Sequence, residues 1–179
     1  MKKLLIVVDY QNDFVCGSLG FPKARELDAA IAEKISEYRR RGDEIAFTFD
    51  THSEDYLDTQ EGKKLPVPHC IKNTAGWELY GAAAAMLEET DKRFYKPAFG
   101  SAELFEYLKG GSYESVELVG LVSNICVLSN AVLAKAALPE VPLIVDAACT
   151  AAGDEKLNEA ALCVMAGLQI EVLNWSREE

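Results

Sequence analysis

The chain has 179 residues, of which 49% are hydrophobic and 26% charged, and it carries a formal net charge of −11. A single domain of that length can bury a core without disulfides, and no apolar run approaches the ~18 residues of a membrane span. The charge disfavours nucleic acid and anionic membranes as partners, and it follows helix-like segments such as Glu26 to Glu37 that read as solvated surface.

Met1-Lys2-Lys3 followed by Leu4 to Val8 has the outline of a secretion signal, but the apolar run stops at Asp9. That is short of the ~7–15 residues such a signal uses, and no small-residue cleavage site follows, so a first β-strand is expected. The next segment places Leu27, Ile31, Ile35 and Tyr38 at helical spacing, with a basic last turn Arg39-Arg40-Arg41 and Gly42 as the stop. A second strand is expected over Glu44 to Phe49. The stretch from Thr51 to Trp77 has no long periodicity, contains Pro66 and Pro68, and holds both histidines of the chain. A loop this long inside a compact domain is usually functional or disordered.

A helix is expected over Glu78 to Glu89 and a third strand over Lys92 to Tyr95. Another helix is expected to begin at Ser101, a good N-cap, to set Leu104, Phe105 and Leu108 on one face, and to end at Gly110-Gly111. Strands over Ser115 to Val122, Val141 to Val145 and Leu168 to Leu173 alternate with helices over Asn124 to Leu138 and Asp154 to Ala166. Alternation of this kind marks an α/β domain on a parallel sheet. Nothing divides the chain, so residues 1–179 are read as one domain. The five cysteines, Cys16, Cys70, Cys126, Cys149 and Cys163, form no C-x-x-C pair and suit a reducing, cytoplasmic compartment.

Ligands of parallel α/β sheets bind beyond the carboxyl ends of the strands. Here those ends carry Asp9, Asp50 and Lys96, and the fourth strand leads toward Cys126. Cys126 stands near the first turn of an apolar helix, where the helix dipole and a nearby lysine are expected to favour thiolate. Taken alone, such a cysteine is more often inert core, Asp9 a turn former and Lys96 an exposed lysine. Together they offer a nucleophile, a general acid and base, and an amine holding both. Asp50-Thr51-His52 and His69, with the intervening Glu54, Asp55, Asp58 and Glu61, offer oxygen and nitrogen donors for a divalent metal, although the histidines are equally read as satisfied loop residues.

Asp9-Tyr10-Gln11-Asn12-Asp13-Phe14, Asp50-Thr51-His52 with Pro68-His69-Cys70, and Gly120-Leu121-Val122-Ser123-Asn124-Ile125-Cys126 together resemble the motifs of the isochorismatase-like cysteine hydrolases, nicotinamidase branch. The resemblance implies a three-layer αβα sandwich with a six-stranded, mainly parallel sheet. It implies a triad of Asp9, Lys96 and Cys126, a non-proline cis peptide at Leu121-Val122, and an oxyanion site formed by the Val122 and Cys126 N–H groups. It further implies a metal held by Asp50, His52 and His69, with Glu61 as the least secure ligand. Zinc is the expected ion, with iron or manganese as alternatives, and no organic cofactor is implied. The expected reaction takes a small, cyclic carboxamide to the acid and ammonia through a thioester.

Where nicotinamidases carry an aromatic residue three positions before the second histidine, this chain has Pro66. Phe14 matches an aromatic pocket position, and Phe99 or Trp77 is expected to replace the missing wall. The rival readings are a metal-free relative acting on a carbamoyl, ureido or vinyl-ether substrate, and a non-catalytic binding protein on the same fold. A homo-oligomer is compatible with the sequence.

Overall fold

The computed structural model describes residues 1–176. Six strands, β1 (Lys2–Val8), β2 (Glu44–Asp50), β3 (Lys92–Lys96), β4 (Tyr113–Leu121), β5 (Leu143–Ala151) and β6 (Glu171–Leu173), form one sheet in the order β3-β2-β1-β4-β5-β6. All neighbouring pairs are parallel. The chain builds β1, β2 and β3 outward to one side, then returns to lay β4 against the other edge of β1. The strand order therefore reverses between β1 and β4, the kind of switch point that opens a crevice at the carboxyl edge of such sheets.

The helices are α1 (Asn12–Val15), α2 (Pro22–Glu26), α3 (Asp28–Arg41), α4 (Gln60–Lys64), α5 (Gly81–Ala85), α6 (Ala102–Lys109), α7 (Leu128–Ala137) and α8 (Glu155–Gly167). Side chains of a strand alternate between its faces, and β1 shows the result. Leu4, Ile6 and Val8 pack in one core with Leu104 and Leu108 of α6, Ala131 of α7 and Met165 of α8. Leu5 and Val7 pack in the other with Ile31, Ile35 and Tyr38 of α3. With cores on both faces, β1 is fully buried from Leu4 to Val8, which is why it reads as a continuous apolar run rather than an alternating one. The architecture is the expected α/β three-layer sandwich.

Helix α3 ends where the sequence places its stop: Gly42 adopts φ 73° and its N–H bonds back to the Tyr38 and Arg39 carbonyls. Ser101 caps α6 by accepting from the Leu104 N–H.

Three expectations need correction. The helix expected over Glu78 to Glu89 is only the short α5, because Gly81 enters it at φ 57° and the Asp28 carboxylate takes the Ala82 N–H. Beyond it, the Asp91 carboxylate takes the Glu88 N–H instead of leaving it to a helical carbonyl. The helix expected from Asn124 begins as a wide π-turn over Ser123–Val127 and becomes α-helical only at Leu128. Strand β5 runs on to Ala151 through a bulge, since Leu118 pairs with Val145 but Gly120 pairs with Thr150.

At the centre of the sheet Gly120 has φ 111°, and a Cβ there would lie 2.1 Å from the Val8 carbonyl oxygen. Only glycine lets β4 come this close to the end of β1.

Candidate active site

Asp9 follows the last residue of β1 with φ 43° and is fully buried. Its Oδ1 accepts from the Thr48 hydroxyl of β2 at 2.6 Å, and its Oδ2 lies 2.6 Å from Lys96 Nζ. Lys96, the last residue of β3, is itself 1% exposed. Its ammonium also contacts Asp50 Oδ1 at 3.2 Å, the Ala98 carbonyl at 3.0 Å and Cys126 Sγ at 3.5 Å. One buried cation thus touches two carboxylates and the thiol, and the three strand-end residues and Cys126 do meet.

Electrostatics in this cluster follow from burial. Burial opposes a charge on Lys96, but Asp9, Cys126 and Asp50 outweigh it and hold the amine as ammonium. Burial raises the Asp9 carboxyl above the ordinary range, against the pull of Lys96. Burial, reinforced by Asp9, also pushes the Cys126 thiol well up, more than Lys96 lowers it. The sequence reading expects a resting thiolate. Instead, the π-turn buries the sulfur against a carboxylate, and that burial works against the thiolate.

The Cys126 turn is pinned from two sides. The Val122 carbonyl accepts from the Ile125 and Val127 N–H groups. Asn130, fully buried one turn further on, donates Nδ2 to the Cys126 carbonyl at 2.8 Å and to the Phe99 carbonyl at 3.1 Å. Its Oδ1 accepts from the Ser101 N–H at 3.0 Å. The Leu121-Val122 peptide is cis.

Asp50 ends β2, and its Oδ2 lies 3.0 Å from His52 Nε2 and 3.3 Å from His69 Nε2. Donor atoms of Asp50, His52 and His69 lie within 4.8 Å of one another. Glu61 Oε1 stands beside them, 3.9 Å from His52 Nε2 and 3.7 Å from His69 Nε2. Burial opposes a charge on Asp50, but the hydrogen bonds to His52 and His69, with the charge of Lys96, hold its carboxyl well below the usual range. His69 Nδ1 faces the Val67 carbonyl at 2.8 Å; a carbonyl can only accept, so Nδ1 carries the proton and Nε2 is directed at the cluster. Two imidazole nitrogens and a buried carboxylate with one tautomer already set are a donor set that fits a divalent ion.

The loop that carries these histidines is anchored by residues that sequence reasoning passes over. Gln11 Nε2 donates to the Asp50 carbonyl at 2.9 Å, and its Oε1 accepts from the Asp50 N–H at 2.8 Å. Asp13 accepts from the N–H of Cys70, which sits at φ 46° directly after His69. Gln11 and Asp13 lie inside the first motif, two and four places after Asp9; that proximity to Asp9 is the only signal of their role.

A cavity of about 300 Å³ opens onto Cys126, with Val122, Asp50, His69 and Glu61 in its wall. Phe14 and Phe99 line it, the Phe14 ring lying 5.5 Å from that of His69. Trp77 does not. Its indole N–H donates to Thr51 Oγ1 at 2.9 Å and its ring stacks on Tyr95 at 5.7 Å, which draws it away from the cavity. Leu65, the neighbour of Pro66, lines the cavity, as do Leu19, Phe21 and Leu157, none of which the sequence singles out.

The Isochorismatase domain family matches residues 3–177. The chain is 32% identical over 148 residues to the isochorismatase family protein PncA of Bacillus subtilis (strain 168), covering 74% of this chain and 78% of that one. It is 28% identical over 175 residues to a nicotinamidase of Saccharomyces cerevisiae, covering 74% of this chain and 81% of that one. Among solved structures, the nicotinamidase/pyrazinamidase PncA of Bacillus subtilis superposes with a TM-score of 0.87 at 27% identity, over 97% of this chain and all (100%) of that one. The pyrazinamidase of Pyrococcus horikoshii, in complex with zinc, superposes with a TM-score of 0.84 at 25% identity, over 98% of this chain and 100% of that one. A family match that runs from near the first residue to near the last means that the chain belongs to the isochorismatase family.

Proposed function

We propose that this protein is a cysteine amidohydrolase of the nicotinamidase type, acting as one domain on a small ring carboxamide and releasing the acid and ammonia. The observation that carries the reading is the buried Lys96 ammonium, 2.6 Å from Asp9 and 3.5 Å from Cys126 Sγ, beside a cavity in whose wall that thiol lies. A fully buried amine held between a carboxylate and a thiol is difficult to account for as packing, because a buried ion pair costs more to desolvate than well-packed apolar side chains in its place. That argues against the binding-protein reading.

In the proposed reaction the Cys126 proton passes to Asp9 as the sulfur attacks the amide carbon. A carboxyl raised above its ordinary range is a stronger base for this transfer. The C–S bond forms, the carbonyl electron pair moves to oxygen, and the Val122 and Cys126 N–H groups are assigned to that oxyanion. Asp9 then gives its proton to the amide nitrogen, the C–N bond breaks, ammonia leaves and a thioester remains. Water attacks the thioester as Asp9 takes its proton; the tetrahedral species expels the sulfur, which recovers that proton, and the acid is released. Lys96 keeps Asp9 and the sulfur in register throughout.

Asp50, His52 and His69, with Glu61 beside them, are the residues assigned to a divalent ion, zinc or alternatively iron or manganese, which when bound supplies a Lewis-acid anchor for a ring nitrogen of the substrate. The convergence of these donors favours this reading over a metal-free carbamoyl, ureido or vinyl-ether hydrolase. All five cysteines are unpaired, which suits the reducing cytoplasm. Among the described residues no helix is long and apolar enough to cross a membrane.

The test is an ammonia-release screen over nicotinamide, pyrazinamide and small carbamoyl compounds, with and without chelator. Chelator-sensitive release from a ring carboxamide is expected; release from carbamoyl compounds alone, indifferent to chelator, would overturn the reading.

A further inference from the structure

A second cavity, of about 520 Å³, adjoins the first and shares Glu61, Leu65, Phe99 and Ile125 with it. Cys126, Asp50 and His69 border only the first cavity and His52 only the second. The candidate metal cluster therefore lies between the two, and the nucleophile faces one of them alone. The shared apolar side chains are unusually open for their type: Phe99 is 46% exposed, Ile125 40% and Leu65 37%. A ligand confined to the first cavity covers one side of this shared wall and leaves the other in water.

We propose that the second cavity is a subsite for a substituent of the substrate, so that the enzyme takes carboxamides whose ring carries a further neutral, largely apolar group of about ring size. This inference rests on the first cavity being the carboxamide site. The shared wall and Pro97 supply the apolar surface, while Thr59, Gln60 and Lys64 give the outer end polar contacts. Glu61 borders both cavities and Lys64 the second alone, so opposite charges face that space and a neutral substituent is the one the apolar wall selects. Moving a phenyl-sized group from water onto this wall is worth at least about tenfold in affinity, or about 1.4 kcal/mol.

The test is titration calorimetry on the Cys126→Ala protein with nicotinamide and a set of phenyl-substituted nicotinamides differing in the ring position substituted. The same titrations on a Cys126→Ala, Gln60→Trp protein read the effect of filling the second cavity from an exposed position. At least one phenyl compound is expected to bind about tenfold or more tighter than nicotinamide, and Gln60→Trp to return the ratio to about one. Equal or weaker binding of every phenyl compound, or a gain that survives Gln60→Trp, overturns the subsite. Hydrolysis of nicotinamide by the wild-type protein is measured in parallel. If nicotinamide is hydrolysed and the phenyl compounds show no gain, the subsite fails alone. If neither nicotinamide nor any phenyl compound is hydrolysed while a Gln60-sensitive gain persists, the amidase reading fails and the second cavity is left as a binding pocket, not a substrate subsite.

Discussion

Asn130 offers a sharp test of how the Cys126 turn is held. Its amide satisfies three backbone groups at once, the Cys126 and Phe99 carbonyls and the Ser101 N–H. In Asn130→Ala all three lose their partner. Phe99 is open to solvent and its carbonyl can rehydrate, but Ser101 is 2% exposed and Cys126 4%. Each buried orphan costs about 1–3 kcal/mol, so two predict a loss of about 2–6 kcal/mol out of a total stability on the order of 5–15. Urea unfolding at neutral pH should show a lower midpoint with an unchanged slope. Turnover should fall further than stability alone requires, because a sulfur displaced by about 1 Å can lose about a hundredfold in rate. Asn130→Asp is the isosteric control: it can still accept from Ser101, but it sets a carboxylate oxygen against two carbonyl oxygens. It should be at least as unstable as the alanine variant at neutral pH and recover partly in acid, when the protonated carboxyl can donate. A loss below about 0.5 kcal/mol in Asn130→Ala, or an aspartate variant as stable as wild type at neutral pH, would refute the reasoning.

Cys126→Ala and Asp9→Asn are expected to abolish ammonia release while leaving the circular dichroism spectrum and cooperative unfolding intact. Lys96→Met should abolish turnover and also destabilise by about 3–5 kcal/mol, since it strands buried Asp9; chemical denaturation separates the two effects. Zinc at a hundredfold excess over its dissociation constant should stabilise the wild type by about 2.7 kcal/mol, seen as a rise in melting temperature that His69→Ala and Asp50→Asn abolish. The pair formed by Lys34 with Glu117 and Asp146, each at 2.8 Å, predicts a pH signature. Burial opposes the charge on Asp146, but Asn174, Lys34 and the Ala148 N–H lower its pKa, so its contribution is present above the ordinary carboxylate value of about 3.9 and lost as pH falls through the folded value. Burial likewise opposes the charge on Lys34, but its two carboxylate partners raise its pKa, so its contribution holds below about 10.5 and is lost only as pH rises through the higher folded value. The stability gap between wild type and Lys34→Met should therefore be widest near neutrality and narrow toward pH 3; a gap constant from pH 7 to pH 3 would contradict this.

How much of the site can be read in advance depends on where each residue's constraint comes from. Asp9, Asp50 and Lys96 are visible because an apolar run that stops at a charged residue marks the carboxyl end of a buried strand. Parallel pairing then brings those ends to one edge whatever the intervening sequence. Gln11, Asp13 and Asn130 carry no such mark: their partners lie 39, 57 and 29 residues away, and a polar side chain in a motif does not announce which backbone it will bind. Trp77 shows the opposite failure. An aromatic residue in a functional loop suits a pocket wall, but Thr51, Phe49 and Tyr95 offer its ring a better-satisfied place.

By itself the sequence determined the order of strands and helices, the Gly42 and Ser101 boundaries, and the residue types at the rim, because periodicity, caps and strand ends are local physics. Only the tertiary structure decided that α5 is short, that Cys126 is buried in a π-turn beside Lys96, and that two cavities share one wall. Those outcomes depend on side chains distant in sequence competing for the same backbone groups, and on how far burial outweighs a neighbouring charge, neither of which any local stretch of chain contains.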